Sequence, residues 1–231
     1  MTAHPADHPG PLVFVADLDA PELSDDDRHH LTRVLRSRPG APLTVADGSG
    51  RWRTATLDGD PEPTGPIQVL EPPRPRLTVG IALVKGEKPE LVVQKLTELG
   101  IDRIVLFRAA RSVVRWDAVR AERGLARLRL VARSAAMQCH RPDLPVVEEV
   151  ADLGPFLAAA PPGEVALAHR DGAPVRLDQP TVLVGPEGGW APAELALDLP
   201  CVRLAGHILR AETAAITAGA LLAQLRDAAS R

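Results

Sequence analysis

Two stretches near the end of the chain hold residues whose types and spacing could support chemistry, and the first is LVGPEGGW at residues 183–190. An apolar run leads there into a glycine-rich loop with one carboxylate, Glu187. Glycines leave backbone N–H and C=O groups open to a ligand. Glu187 disfavours a phosphate, and no Gly-Lys-Ser/Thr follows, so the loop is not a P-loop. The pattern predicts a site for a neutral or cationic ligand held by backbone groups, or else a structural turn whose glycines, Gly188 among them, supply positive φ.

The second stretch, RLAGHILRAETAAITAGALL at residues 203–222, predicts a strand end, a short loop and a long helix. Arg210 and Glu212 lie where the loop meets the helix, and Glu212 suits the positive end of the helix dipole. The many alanines and Gly219 indicate a helix packed closely against another backbone. A face this small needs a close partner, which predicts dimerisation. Arg210 and Glu212 are therefore candidates for chemistry, and the alanines are interpreted as packing residues.

Arginines are concentrated in the middle of the chain. Residues 103–141, called here the arginine segment, hold ten arginines and two acidic residues, whereas the whole chain carries a net charge of −3. A segregated basic segment is typical of proteins that bind a phosphate backbone. The alternative is a solvated helix face. Because only 3% of the residues are aromatic and none is tyrosine, stacking of bases on aromatic side chains is not expected to dominate.

The first third of the chain predicts a small β-structure. It contains short apolar runs, a hairpin signal, DGSG, at residues 47–50, and one helix over DDDRHHLTRVLRSRPG. We expect Leu31, Val34 and Leu35 to share the buried face of that helix. Several short strands with one helix are typical of a small barrel.

The pattern changes after a proline-rich stretch. Six prolines between residues 61 and 76 favour a linker, which puts a domain boundary near residue 73. Beyond it, continuous apolar strands such as TVGIALV, DRIVLF and TVLVG alternate with helices. This alternation predicts a parallel sheet covered on both faces, with ligands bound beyond the carboxyl ends of its strands.

Composition excludes several classes of protein. Cys139 and Cys201 form no CxxC pair, and the seven histidines lack metal-ligand spacing, so no metal site is predicted. No run of 18 apolar residues occurs, and the amino-terminal residues lack the apolar region of a signal peptide. We therefore expect a cytoplasmic protein without a membrane partner.

Four stretches, HHLTRVLRSRPG, KGEKPELVVQKLTELGID, LVGPEGG and ILRAETAAITA, occur in the order found in the RsmE-type ribosomal RNA methyltransferases of the SPOUT superfamily. The chain resembles this family over nearly its whole length. The resemblance implies an α/β protein with a small N-terminal PUA-like β-barrel that binds RNA, at residues 1–72. It implies a SPOUT domain with a C-terminal trefoil knot at residues 73–231. It also implies a homodimer that uses S-adenosyl-L-methionine to methylate N3 of a uridine in 16S ribosomal RNA of the small ribosomal subunit.

The resemblance also implies roles for individual residues. The two loops similar to the family's cofactor loops contain Leu183, Gly185, Glu187, Gly188, Gly189, Leu204, Gly206, Leu209 and Ala211. For catalysis we expect Arg210 to stabilise negative charge on the uracil, and Glu212 either to orient Arg210 or to take the N3 proton. RNA contacts are expected from Arg33, Arg36, Arg111, Arg127, Arg133 and Arg141.

One motif departs from the family pattern. In AAMQCHR, Met137 stands where the family has glutamate, and His140 stands where it has glycine. Two other functions stay open at this stage. One is a non-catalytic RNA-binding or ribosome-associated factor that retains the fold, and the other is a metabolic α/β enzyme with a small anionic substrate. The intact GPEGG favours the methyltransferase.

Overall fold

The computed structural model describes residues 4–83, 88–114, 116–150 and 153–230. Arg115 of the arginine segment, and residues 85–87 of the KGEKPE stretch, lie outside the described residues. The chain forms two compact units, Met1–Pro72 with Arg133–Leu144, and Pro73–Ala132 with Pro145–Arg231.

The first unit thus takes residues 133–144, which the sequence-based domain bounds of 1–72 and 73–231 assigned to the second domain. The physical reason is packing, since Ala136 and Met137 join the apolar core of the first unit. As functional domains, the bounds remain a prediction.

A five-stranded sheet forms the first unit. Its strands are β1 (Leu12–Phe14), β2 (Pro42–Ala46), β3 (Arg51–Asp58), β4 (Asp60–Pro63) and β5 (Gln68–Val69). They lie in the order β1-β2-β3-β4, and β5 pairs with β3. The predicted hairpin is confirmed, because β2 and β3 are antiparallel and flank residues 47–50. Gly48 and Gly50 have φ values of 82° and 101° there, which only glycine adopts readily.

The prediction of a single amphipathic helix in this unit was wrong. Helix α1 covers only Asp25–His29, and a π-helical turn follows over His30–Val34. A π turn places more residues in each turn than an α-helix, so side chains three or four apart no longer align. Leu31 is consequently buried, whereas Val34 and Leu35 are 60% and 48% exposed.

The second unit is a six-stranded parallel sheet. Its strands are β6 (Thr78–Ala82), β7 (Arg103–Phe107), β8 (Val146–Val150), β9 (Val165–Pro174), β10 (Thr181–Val184) and β11 (Cys201–Arg203), in the order β11-β9-β10-β6-β7-β8. Its helices are α2 (Lys88–Glu98), α3 (Ala118–Gln138), which ends in the first unit, α4 (Leu153–Ala159), α5 (Pro192–Leu195) and α6 (Ala211–Ala229). Strands β6 and β10 lie next to each other at the centre, with parallel register from Thr78 opposite Thr181.

Successive residues of each strand point to opposite faces of this sheet, and both faces are covered. Ile104 and Leu106 of β7 pack in a core shared with α2 and α6, whereas Val105 and Phe107 pack in a second core with α4 and Trp190. The predicted parallel sheet with two buried faces is therefore confirmed. Continuous apolar strands are the sequence signature of this arrangement.

The small face of α6 packs against α2 of the same chain. A Cβ on Gly219 would overlap Leu96 Cδ2 and lie 3.4 Å from Ile101 Cγ1, so any larger residue there would force the Leu96 side chain to move. Ala215, Ala218 and Leu222 lie in the same core. The prediction of close packing is confirmed, but the argument from this face to a dimer was wrong, because the partner is an intrachain helix.

None of the described helices combines the length and apolar character needed to cross a membrane. Over the same described residues, no group of three or more His, Cys, Asp or Glu is placed to hold a metal ion.

Candidate functional site

A pocket of about 390 Å³ lies in the second unit where β10 and β11 end and beside the middle of β9. Of the predicted cofactor residues, six line it: Gly185, Glu187, Gly189, Leu204, Leu209 and Ala211. Leu183 does not, because it is fully buried in the core beneath. Gly188 and Gly206 are not part of the lining either. The two stretches singled out from the sequence thus meet in one cavity, at the strand ends where it was expected.

Residues 185–189, called here the GPEGG loop, are held from one side by Trp190. The Trp190 indole N–H donates a hydrogen bond of 3.0 Å to the Ala168 carbonyl in β9. Its ring stacks on Phe107 with centroids 5.9 Å apart. A Cβ on Gly185 would lie 3.0 Å from the Trp190 ring, so a glycine lets the tryptophan pack under the loop.

The glycine that needs a positive φ is Gly189, not Gly188. Gly189 has a φ of 69°, and a Cβ there would meet no atom within 4 Å. At Gly188 the backbone is ordinary, and a Cβ would make a 3.5 Å contact with the Arg111 side chain. The Gly188 carbonyl accepts a 3.1 Å hydrogen bond from Arg111 Nη1. Conformational restriction therefore lies at Gly189.

Glu187 is paired with a lysine that the local sequence did not reveal. Lys88 Nζ, at the start of α2, lies 3.2 Å from Glu187 Oε1 and 3.3 Å from Glu212 Oε2. In the local sequence Glu187 stands alone as a carboxylate, which predicts attraction for a cation. Because Lys88 lies this close, it neutralises part of the negative charge of Glu187, and the attraction for a cationic ligand is weaker than the local sequence predicts.

The two catalytic candidates lie side by side at the start of α6. Arg210 is the exposed N-cap residue, and Glu212 is in the first turn with its side chain 14% exposed. Burial by itself raises the pKa of Glu212. Its own backbone N–H, Lys88 and Arg210 outweigh that effect and hold the pKa below its ordinary value. A carboxylate with a lowered pKa is a weak proton acceptor, so the site favours an orienting role for Glu212 over a basic one.

Two of the six predicted RNA-binding arginines are engaged inside the first unit, so their contacts disfavour the predicted role, which stays a prediction. Arg133 donates to both oxygens of Asp27 at 2.9 and 2.7 Å and to the Phe14 carbonyl at 3.1 Å. Arg141 is buried and pairs with Asp143 at 2.7 Å. A guanidinium whose N–H groups are used in this way cannot also bind a phosphate at full strength.

The other four predicted RNA-binding arginines are exposed: Arg33, Arg36, Arg111 and Arg127. Arg111 also lines the pocket. Arg127 is 63% exposed and lies 3.1 Å from Glu90.

Several further side chains of the pocket wall were missed from the sequence: His169, Arg170, Arg203 and His207. Arg203 is the last residue of β11 and Arg170 lies within β9, so each looked like an ordinary surface residue in the pattern. For Arg203 the available signal was its position at a strand end, where sites form in parallel sheets.

Comparison with known proteins fits this geometry. A family model described as an RNA methyltransferase domain matches residues 71–223, and another described as an RNA methyltransferase PUA domain matches residues 23–60. The ribosomal RNA small subunit methyltransferase E of Mycobacterium bovis is 36% identical over 218 residues, which cover 85% of this chain and 83% of that protein. The chain belongs to this RNA methyltransferase family.

Two solved structures resemble this RNA methyltransferase. A probable rRNA-methyltransferase from Porphyromonas gingivalis matches with a TM-score of 0.79 and 27% identity, over 96% of this chain and 100% of that one. The ribosomal RNA small subunit methyltransferase E from Neisseria gonorrhoeae, bound to S-adenosyl methionine, matches with a TM-score of 0.75 and 26% identity, over 93% and 97%. The predicted α/β class with a PUA-like first domain is confirmed, and the trefoil knot stays a prediction.

The departure from the family motif at residue 140 has a conformational counterpart in this methyltransferase. His140 has a φ of 57°, a left-handed conformation that glycine adopts without strain and histidine adopts at some cost. The backbone therefore keeps the shape that suits the family's glycine. Met137 packs in the first unit, and its sulfur lies 3.3 Å from Arg133 Nη1.

Proposed function

We propose that this methyltransferase transfers the methyl group of S-adenosyl-L-methionine to N3 of a uridine in the 16S ribosomal RNA of the small ribosomal subunit. The observation that carries the proposal is the meeting of the GPEGG loop and the loop before α6 in one pocket. The relative from Neisseria gonorrhoeae, solved with S-adenosyl methionine, supports the choice of cofactor. The relatives' names support ribosomal RNA of the small subunit.

The pocket fits the cofactor in size and chemistry. About 390 Å³ lies within the range of small-molecule sites. Val184, Leu204, Ile208 and Leu209 supply apolar surface suited to an adenine ring. The glycines of the loop expose backbone N–H and C=O groups suited to its polar edges. When bound, S-adenosyl-L-methionine supplies an electrophilic methyl group on a sulfonium centre.

Uracil N3 carries a proton, and removing it spreads negative charge onto O2 and O4. Arg210 is our candidate for stabilising that charge, because a fixed cation near a developing anion lowers the barrier. Glu212 is ionised and close enough to act on Arg210 electrostatically. Since its pKa is lowered, we assign it the orienting role and leave the N3 proton to water or another group.

RNA is held through phosphates in this proposal. Arg111, which was already in the predicted set, and Arg170 and Arg203 are exposed cations of the pocket wall, and Arg170 and Arg203 take the place of Arg133 and Arg141 in this proposal. Arg33, Arg36 and Arg127 remain in it. Arginine suits this role because its planar fork matches phosphate oxygens.

A homodimer and a cytoplasmic location are part of the proposal. The dimer now rests on the family resemblance alone, since the small face of α6 is covered by α2. The cytoplasmic location rests on the expectation drawn from the sequence. Light scattering tests the dimer, and a mass of 24.6 kDa at micromolar concentration would contradict it.

The experiment that tests the function is methylation of purified small subunits from a strain that lacks this modification. The product RNA is digested to nucleosides and analysed by mass spectrometry. We expect N3-methyluridine to appear in proportion to enzyme and cofactor. RNA binding without any methylated nucleoside would identify a non-catalytic RNA-binding factor instead.

A further inference from the structure

We propose that Lys88 is a positioning residue of this site, whose ammonium group ties the GPEGG loop to the first turn of α6 through Glu187 and Glu212. The inference rests on the proposed function, because it concerns how that same pocket is held and charged.

The contacts join three parts of the chain that are distant in sequence. Lys88 begins α2, Glu187 lies between β10 and α5, and Glu212 is in the first turn of α6. The two N–O distances are 3.2 and 3.3 Å. The Lys88 side chain is 35% exposed, that of Glu187 54% and that of Glu212 14%. The Glu212 end is therefore the better shielded half of the bridge.

The bridge has an electrostatic reason. Two carboxylates that approach the same point repel each other unless a cation lies between them. The neighbouring carboxylates of Glu187 and Glu212 raise the pKa of Lys88 above its ordinary range, so the amine stays charged. The charged groups that act on Glu212 are Lys88 from α2 and Arg210 beside it on α6.

Lys88 thereby does two things for the site. It holds the GPEGG loop, as do Arg111 through the Gly188 carbonyl and Trp190 through the Ala168 carbonyl. It also keeps Glu212 ionised next to Arg210. Without Lys88, one of the groups that lower the pKa of Glu212 would be lost, so that pKa would rise and the carboxylate would take up a proton at a higher pH than in the parent.

A surface ion pair with no functional role is the competing interpretation. Isolated exposed pairs contribute little to stability, so a change in stability alone would not separate the two. The separating readouts are cofactor affinity and the pH dependence of the reaction, because a purely structural pair would leave both unchanged. Lys95 provides a matched control, since it is also on α2 and pairs with Glu98 at 2.8 Å outside the pocket.

The test compares Lys88→Met, Lys88→Arg and Lys95→Met with the parent. Calorimetry measures S-adenosyl-L-methionine affinity, and single-turnover methylation at saturating RNA is followed from about pH 5 to pH 8. We expect Lys88→Met to bind the cofactor about fivefold or more weakly. We also expect its rate to fall at a higher pH than the parent's as the solution is acidified. Lys88→Arg should restore most of both properties, and Lys95→Met should match the parent.

Parental cofactor affinity and pH profile in Lys88→Met would overturn the proposal, as would an Lys88→Arg variant no better than Lys88→Met. Amide hydrogen exchange in residues 185–189 gives a readout that needs neither cofactor nor RNA. Exchange there should be faster in Lys88→Met and unchanged in Lys95→Met. If the parent methylates no RNA, the proposed function fails, whereas the exchange experiment still decides whether Lys88 holds the loop.

Discussion

Gly189 offers a substitution whose effect can be worked out from backbone geometry alone. Its φ of 69° lies in the left-handed region, yet a Cβ would meet no atom within 4 Å. Gly189→Ala therefore adds strain without a clash. That strain is about 1–2 kcal/mol for a residue with a Cβ. Gly188→Ala is the matched control, because its Cβ makes only an ordinary 3.5 Å contact and its φ is not positive.

The strain of Gly189→Ala must appear in one of two measurements. If the loop keeps its shape, the free energy of unfolding falls by about 1–2 kcal/mol relative to Gly188→Ala. If the loop instead relaxes to another conformation, cofactor binding has to restore the parental one, and the affinity for S-adenosyl-L-methionine falls by about fivefold to thirtyfold. Both variants lose the same unfolded-state freedom of a glycine, so that contribution cancels.

Urea unfolding and calorimetric titration with S-adenosyl-L-methionine, carried out on both variants, check this prediction. Gly189→Asn should recover most of the loss, since asparagine tolerates the left-handed region. If Gly189→Ala and Gly188→Ala agree in stability and in affinity, the strain argument is wrong.

Three further predictions concern the arginines. Arg133→Met should lower the free energy of unfolding by about 3 kcal/mol at neutral pH, because Asp27, whose side chain is 5% exposed, loses its partner. Burial raises the pKa of Asp27, but Arg133 and Ser24 outweigh burial and lower it, so the parent should lose this stabilisation as the pH falls through that lowered pKa. A variant as stable as the parent in urea would contradict the ion pair. Arg203→Ala should reduce the slope of log affinity against log salt for RNA by about 0.7–0.9, and a parental slope would remove Arg203 from the RNA surface. Arg210→Ala should keep RNA affinity and lower single-turnover methylation about a hundredfold, and full turnover would show that another group stabilises the uracil.

Local patterns were sufficient for the parts of the fold that depend on near neighbours in sequence. Apolar runs predicted the strands around the pocket, and alanines with Gly219 predicted the tight packing of α6. The DGSG turn predicted its hairpin. Each of these depends on residues a few positions apart, or on burial that composition alone reveals.

The missed features depend on distant pairs. Lys88 meets Glu187 across 99 residues, and Arg133 meets Asp27 across 106 residues. No periodicity records such a pair, so the arginine segment looked uniformly available although Arg133 is engaged within the fold. The failure at Val34 has a different cause, because a π turn shifts the face that a 3.6-residue period assigns.

A crystal structure of the chain with S-adenosyl-L-methionine shows directly whether the cofactor occupies this pocket, on which the proposed function depends. We predict density between the GPEGG loop and the loop before α6, with hydrogen bonds to backbone groups of residues 185–189 and 204–209. We also predict that the sulfonium methyl faces the side of the pocket on which Arg210 lies. Cofactor bound elsewhere on the chain, or no binding at saturating concentration in solution, would contradict the account.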